Sequence, residues 1–252
     1  MNVSIVIPTF NSADTIQINL NSIKIQSFKE FQIIVVDNNS TDNTIEIIKK
    51  NNFPNIKLLI EKDDGIFDAI NKGIKISEND IISILHSDDF FNDENVLQNV
   101  VDTFNQDLSN DIIFGDLIYV KKENPNVNLR IWKAGSFIKN SFFKGWHPPH
   151  PSFFAKKSLF KKFGYYNLIN GNSADVELMF RFLETYQIKS KYINKTLVKM
   201  RYGGASNKNI SSIISQNIQI LRFLKIDKNL FKICIFFINK FFNRLKQFVI
   251  KE

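Results

Sequence analysis

Four polar clusters in the first ninety residues carry side chains of the kinds that can bind phosphate, metal or hydroxyl groups: PTFNSAD at 8–14, DNNSTD at 37–42, EKDDG at 61–65 and HSDD at 86–89. Adjacent carboxylates such as Asp88 and Asp89 can share a hard divalent cation and, through it, a diphosphate. Asp37 is placed to accept hydrogen bonds from a nucleobase or ribose. Each cluster also has a plainer use: Asp88, Asp89 or Asp93 as the cap of the next helix, and the 37–42 run as the start of a helix at Asn43. One ligand site explains all four together, whereas capping must be invoked separately for each.

Each cluster follows a short β-branched run: VSIVI at 3–7, FQIIVV at 31–36, IKLLI at 56–60 and DIISIL at 80–85. Amphipathic stretches follow at 14–25, 43–50, 66–76 and 94–104, and this strand-helix alternation predicts an α/β fold with a doubly wound, mostly parallel sheet flanked by helices. Such sheets bind ligands beyond the carboxyl ends of their strands, where the clusters fall. Strands are expected at 111–120, 127–135 and 188–193, helices at 173–186 and 207–225, and a proline-constrained loop at GWHPPHP, 145–151. The expected division is one sheet domain at 1–225, in halves of about 1–110 and 111–225, then a tail at 226–252.

With 44% hydrophobic and 23% charged residues among 252, the chain is too apolar to be disordered. The single cysteine, Cys234, excludes an internal disulfide scaffold, and no Cys/His set has zinc spacing. The start lacks a basic, long-apolar leader, and no apolar run approaches the roughly 18 to 20 residues of a spanning helix, so a cytoplasmic protein is expected.

The segments VSIVIPTFN at 3–11, IVVDNNSTDNT at 34–44 and EKDDGIFDAINKG at 61–73, with Asp88 and Asp89 at the expected distance beyond, resemble the inverting glycosyltransferases of family 2, which have the GT-A nucleotide-diphospho-sugar transferase fold. PPHPSFF at 148–154, ADVEL at 174–178 and MRYGGASN at 200–207 are similar to a subgroup that builds bacterial surface polysaccharides such as O-antigen, capsule and colanic acid. The resemblance covers roughly residues 1 to 207 and implies that the domain at 1–225 is catalytic, its half at about 1–110 binding nucleotide and its half at about 111–225 facing the acceptor. It implies a nucleotide-sugar donor, expected to be UDP-linked, whose base is surrounded by Pro8, Thr9 and Asp37. Asp64, Asp68 and Lys72 then line the nucleotide side, Lys72 as a point charge on the diphosphate, and Asp68 holding a sugar hydroxyl or orienting Lys72. A solvent-exposed i, i+4 ion pair is the alternative for these two.

By the same resemblance Asp88 binds ribose and Asp89 binds the cofactor, Mn²⁺ or Mg²⁺. Many relatives carry another carboxylate or Asn where His86 stands, a departure at the metal site. The general base falls on Asp175, which a first-turn role against the helix dipole also explains, with Glu177 as the nearest competitor. His150, three residues from His147, is assigned to the metal or acceptor side, with a hydrogen bond to backbone or ligand as the alternative. Trp132 and Trp146 suit either a sugar face or the core. Arg201, with Gly203, Gly204 and Ser206, is expected to clamp the diphosphate from a loop, or else to end a strand in a turn.

Between Leu221 and Glu252 there are eight basic and two acidic residues, a net +6 out of the chain's net charge of +8. Interleaved with Phe231, Phe236, Phe237, Phe241, Phe242 and Phe248, they suit a helix lying on an anionic membrane surface, so a peripheral place on the inner face of the cell membrane is expected. The alternative packs the Phe face on the catalytic domain or on a second subunit as a homodimer. The acceptor is expected to be a glycan or a polyprenyl-linked glycan. Two rivals are weaker. A sugar-phosphate nucleotidyltransferase needs a Gly/Arg-rich phosphate loop that PTFNSAD lacks, and a non-catalytic nucleic-acid or membrane binder needs basic residues across a face rather than in a tail.

Overall fold

The computed structural model describes residues 1–203 and 210–249, so Gly204 and Ser206 lie outside the described residues. Strands β1 (Val3–Thr9), β2 (Phe31–Asp37), β3 (Ile56–Ile60) and β4 (Ile81–Ile84) pair in parallel in the order β3-β2-β1-β4. Their connections run through α1 (Ile16–Lys24), α2 (Thr44–Lys50) and α3 (Ile66–Ile76). The expected alternation is therefore realised, with β1 extended as far as Thr9 because that residue stays in register with Asp37. Both sheet faces are covered: Val6, Ile34 and Val36 join one apolar core, and Ile5, Ile7, Ile33 and Val35 the other. Burial on both faces is why these strands read as continuous β-branched runs rather than alternating patterns.

The second half extends the same sheet. After β4 come the two-residue β5 (Phe90–Phe91), α4 (Val96–Gln106), β6 (Ile112–Val120) and β7 (Asn128–Trp132), then β8 (Phe153–Lys156), α5 (Lys157–Phe163), α6 (Ala174–Phe180) and β9 (Ser190–Arg201). The sheet order is β3-β2-β1-β4-β8-β6-β9-β5, with β7 on β6. Strand β8 is antiparallel to both neighbours, β4 and β6, and stitches the two halves together. Strands β5 and β8 and helix α5 have no counterpart in the periodicity reading, being too short for a pattern to emerge. The helix expected at 173–186 is α6 continued by a π-type turn at Arg181–Thr185.

Helices α7 (Ile210–Phe223) and α8 (Leu230–Val249) complete the described chain. α8 is docked on the domain at two places. Phe236 is 2% exposed within the core, and further along Gln247 meets the Arg130 guanidinium, which lies 5.7 Å from the Phe248 ring. The backbone passes closely at Gly145, where φ is +69° and an added Cβ would stand 2.7 Å from Lys240 Cβ and 2.9 Å from the Phe236 carbonyl oxygen. Gly145→Ala is thus expected to destabilise the fold by about 1 to 3 kcal/mol, through left-handed strain plus overpacking. Equilibrium denaturation checks this, and an unchanged midpoint would show that the helix is not seated there. No helix among the described residues is long and apolar enough to cross a membrane.

Candidate active site

Strand β1 has β2 on one side and β4 on the other, so chain order reverses between β1 and β4 and opens a crevice at their carboxyl ends. The loops there are laced together. Asn11, with φ of 45°, accepts from the Thr41 amide at 2.9 Å, and its own amide donates to Ser40 Oγ at 2.8 Å. The Ala13 amide donates to Asp42 at 3.0 Å, and Ser12 Oγ meets Ser87 Oγ at 2.8 Å. Asp37 is fully buried, its carboxylate accepting from the Ser40 amide at 2.7 Å and Ser40 Oγ at 2.6 Å. Pro8 and Thr9 are buried beside it, and the Asn38 amide donates to the Thr9 carbonyl. These three residues, grouped on sequence grounds, adjoin at the carboxyl ends of β1 and β2, where Ser40 engages both Asp37 oxygens.

On the third loop, Lys72 is held by Glu61 at 2.9 Å, Asp68 at 3.1 Å and the Lys62 carbonyl at 2.7 Å. Asp68 also accepts from the Asp64 amide at 3.2 Å ahead of α3, while Asp64 itself is exposed. Asp68 is thus in contact with Lys72 and able to orient it, one of its two expected roles.

The fourth cluster is where capping and ligand binding separate. Asp42 accepts from the Thr44 amide at 3.0 Å and Asp93 from the Asn95 amide at 2.9 Å, closing the turns just ahead of α2 and α4, whose N-cap residues Asn43 and Asn95 make no side-chain cap bond. Asp88 and Asp89 sit in the turn ahead of β5, with ligand atoms of His86, Asp88 and Asp89 all within 4.8 Å of one another. Asp89 is fully buried, yet both its carboxylate oxygens lack a hydrogen-bond partner, as does His86 Nε2. His86 Nδ1 stands 3.4 Å from Asp89, too far for a good hydrogen bond. Burial raises the Asp89 carboxyl to about 6 against the pull of His86. Buried polar atoms are rarely left unpaired, so three such atoms from an imidazole and a carboxylate form a donor set suited to a divalent cation. Sequence reasoning treats His86 as a departure and misses its place in this group. It also misses Asn19 of α1, whose Nδ2 donates to the carbonyls of His86 at 2.9 Å and Asp89 at 2.8 Å and so fixes the turn.

Pairing of β5 with β9 brings a distant stretch of chain to the same turn. Phe90 is opposite Lys199 and Phe91 opposite Val198, so Arg201 reaches Asp89, whose carboxylate its backbone amide faces. The Arg201 side chain is 7% exposed, and its Nε and Nη2 have no hydrogen-bond partner. A buried guanidinium with free donors is suited to an anion. Arg201 is the last residue of a paired strand, with Gly203 in the turn after it.

Asp175 opens α6, half-buried, its Oδ1 accepting from the Val176 amide at 2.8 Å. Burial pushes its carboxyl up to about 6, opposed by the positive fields of His86 and Lys240. The competitor Glu177 is instead committed to Arg181, at 2.9 and 3.1 Å. His150 stands outside the metal-capable group: its Nε2 pairs with the Tyr166 hydroxyl at 2.8 Å, and its ring lies 5.7 Å from that of His86. Burial holds His150 well below the usual imidazole range, so it is a neutral neighbour of His86. His147, lowered to about 4 by burial, contacts Trp132 edge-on. Trp146 donates to the Ala134 carbonyl at 2.7 Å and packs on Phe114, Phe137 and Phe142, which makes it core.

An α/β sheet with loops laced at the β1/β4 switch point, a carboxylate-imidazole group in the crevice and a buried cation beside it defines a GT-A nucleotide-diphospho-sugar transferase fold. The family model for glycosyl transferase family 2 matches residues 4–164, and the chain belongs to that family. It is 29% identical over 210 residues to a PGL/p-HBAD biosynthesis glycosyltransferase of Mycobacterium bovis, covering 81% of this chain and 78% of that protein. A shorter match, 36% over 91 residues, is to glycosyltransferase AglE of Haloferax volcanii, covering 34% of this chain and 30% of AglE. Among solved structures, S. aureus TarS 1–349 superposes with a TM-score of 0.65 at 19% identity, over 98% of this chain and 72% of TarS. The mannosyltransferase PcManGT from Pyrobaculum calidifontis, in complex with GDP-Man and Mn²⁺, gives 0.63 at 18% identity, over 98% and 70% of the two chains.

Proposed function

We propose that this chain is a metal-dependent inverting glycosyltransferase, moving a sugar from a nucleotide-diphospho-sugar, UDP-linked, onto a hydroxyl of a lipid-linked glycan in bacterial surface polysaccharide synthesis. One observation carries the reading: two buried groups brought to the same turn by the β5–β9 pairing, the Asp89 carboxylate and the Arg201 guanidinium, each hold polar atoms without a hydrogen-bond partner, which a cation and a diphosphate would satisfy. TarS has been solved with UDP-GlcNAc, and PcManGT with GDP-Man and Mn²⁺, which is consistent with it. A divalent cation held there would supply positive charge against that of the departing diphosphate. Asp89, Asp88 and His86 hold it, and an imidazole among the donors favours Mn²⁺ over Mg²⁺. Asp37, Pro8 and Thr9 receive the nucleoside, Asp64 borders it, and Lys72, steered by Asp68, joins Arg201 on the phosphates. Asp175 takes the acceptor hydroxyl proton as that oxygen bonds the anomeric carbon and the bond to the diphosphate breaks on the opposite face. A base raised to about 6 is still ionised near neutrality, yet basic enough to accept the proton. A thermal-shift panel of UDP, GDP, CDP and TDP, each with Mn²⁺ or EDTA, tests the donor class. Stabilisation by one nucleotide that needs the metal supports the reading, and none by any of them removes it.

The outer face of α8 supports a peripheral membrane role. Opposite buried Phe236, Phe231 is 74%, Phe241 60% and Phe242 56% exposed, flanked by exposed Lys232, Arg244 and Lys246. Exposed rings bordered by cations suit an anionic bilayer. Wild type is expected to sediment with phosphatidylglycerol vesicles and not with phosphatidylcholine ones, and Phe241→Ser with Phe242→Ser to weaken this at least about tenfold. If neither protein binds vesicles and the wild type sediments as a dimer, the face is a subunit interface instead.

A further inference from the structure

We infer that Asn71 is a positioning residue: from the helix that carries Lys72 it grips the backbone of Tyr166, and so sets where the segment leading to Asp175 stands relative to the donor phosphates. The inference rests on the reading of Lys72 as a phosphate contact and Asp175 as the base. Asn71 lies in the EKDDGIFDAINKG segment at 61–73 and is 7% exposed in the middle of α3. Its Oδ1 accepts from the Tyr166 amide at 3.0 Å and its Nδ2 donates to the Tyr166 carbonyl at 2.9 Å, both bonds buried and both spanning 95 residues of chain. One turn earlier, Phe67 stacks on the Tyr166 ring at 5.3 Å between centroids. One turn later, the Lys75 ammonium lies 5.6 Å from the Tyr165 ring.

Helical spacing separates two duties on α3. Asp68 and Lys72, four apart, pair on the donor side, while Phe67 and Asn71, also four apart, hold Tyr166 from a neighbouring face. The helix is seated directly on β1, since a Cβ added at Gly73 would stand 2.4 Å from Val6 Cγ1. Tyr166 in turn reaches the cation-binding group through one neighbour: its hydroxyl pairs with His150 Nε2 at 2.8 Å, and the His150 ring lies 5.7 Å from that of His86. Beyond Tyr166 the chain passes through the turn Leu168–Ser173, whose end is held by Ser173 Oγ on the Gln216 carbonyl at 3.1 Å and on Gln219 Oε1 at 2.9 Å. It then opens α6, with Asp175 in the first turn. In-line displacement needs base and departing phosphates on opposite sides of one carbon, and here they are supplied from about a hundred residues apart. Leucine would bury equally well at position 71, but only a side chain with both a donor and an acceptor fixes both backbone groups of Tyr166.

Hydrogen exchange and turnover of full-length Asn71→Ala test this. Alanine is the better helix former, so α3 is kept while both bonds to Tyr166 are lost. Amides of residues 164–175 are expected to exchange at least about tenfold faster, those of β1 and β2 to keep their wild-type rates, and UDP with Mn²⁺ to bind within about twofold of wild type. With UDP-GlcNAc as donor, kcat for UDP release is expected to fall at least about tenfold with KM within about twofold, because a misplacement of about 1 Å can cost about a hundredfold. A purely structural role would lower the melting temperature and raise exchange throughout the protein while the folded variant kept its wild-type kcat, which overturns the inference. Unchanged exchange of 164–175 overturns it equally. Should Asn71→Ala not fold, Asn71→Asp, which keeps the size and the acceptor for the Tyr166 amide, carries the same readings. Exchange and UDP binding need no donor, so they decide the matter alone if UDP-GlcNAc is not turned over. The base reading fails separately, if Asp175→Asn retains turnover.

Discussion

Asp175→Asn is expected to cut kcat by about a thousandfold, within the range that loss of a general base commonly produces, while the affinity for nucleoside diphosphate stays within about twofold. The side chain keeps its size and its Oδ1 can still accept from the Val176 amide, so the α6 start is preserved and only proton acceptance is lost. The wild type should carry the signature of the same group in its pH profile. Because burial raises Asp175 to about 6, kcat/KM is flat above that pH and falls about tenfold per pH unit below it as the carboxylate is protonated. Release of nucleoside diphosphate from the donor found in the nucleotide panel supplies the rate, and calorimetry the affinity. Retention of more than about a tenth of the wild-type rate by the Asn variant would move the base elsewhere. Glu177 is a poor substitute, since both its oxygens are engaged by Arg181.

For Asp89→Asn two changes of opposite sign are expected. Without metal the variant should be more stable than wild type at neutral pH, by up to about 3 kcal/mol. Asp89 has a folded value of about 6 against an ordinary value of 3.8, so the folded state holds its proton more tightly than the unfolded chain does. Wild-type stability therefore falls as pH rises from about 4 to about 6 and stays reduced above, where the buried carboxylate is charged without a hydrogen-bond partner. With Mn²⁺ and the matching nucleotide the order reverses. A ligand at about a hundred times its Kd stabilises the wild type by about 2.7 kcal/mol, and the variant should gain almost none of this. Melting temperatures of both proteins, with and without EDTA, from about pH 4 to about pH 8 check the pair of outcomes. A variant that is destabilised without metal, or that keeps the full nucleotide response, removes Asp89 from the metal site. Lower stability in the empty state is what a site that withholds hydrogen bonds from a buried carboxylate incurs.

The strand-helix alternation over the first hundred residues was legible because both faces of the sheet are buried, so β-branched runs had to alternate with one-sided helices. The polar clusters at strand ends were legible for the same reason, and the motif spacing pointed to the family that the comparison then showed. Local turns also left their mark, since an Asp that bonds an amide two residues ahead, as Asp42 and Asp93 do, depends on nothing further away.

What sets Asp89 apart from Asp93 is different in kind. Its carboxylate is buried without a partner because α1 delivers Asn19 to the carbonyls of the turn and β9 closes over it through β5, contacts that no window of sequence contains. The same holds for Lys240. In the chain it is one of eight cations in a basic, aromatic tail, and only the approach of α8 to Gly145 turns it inward toward the start of α6. Periodicity and spacing reveal which face of an element is apolar and which residues bond their near neighbours, because those depend on the chain's own geometry. Whether a charged group ends in water or in a closed socket depends on what packs over it, and that emerges only when elements far apart in the chain come together.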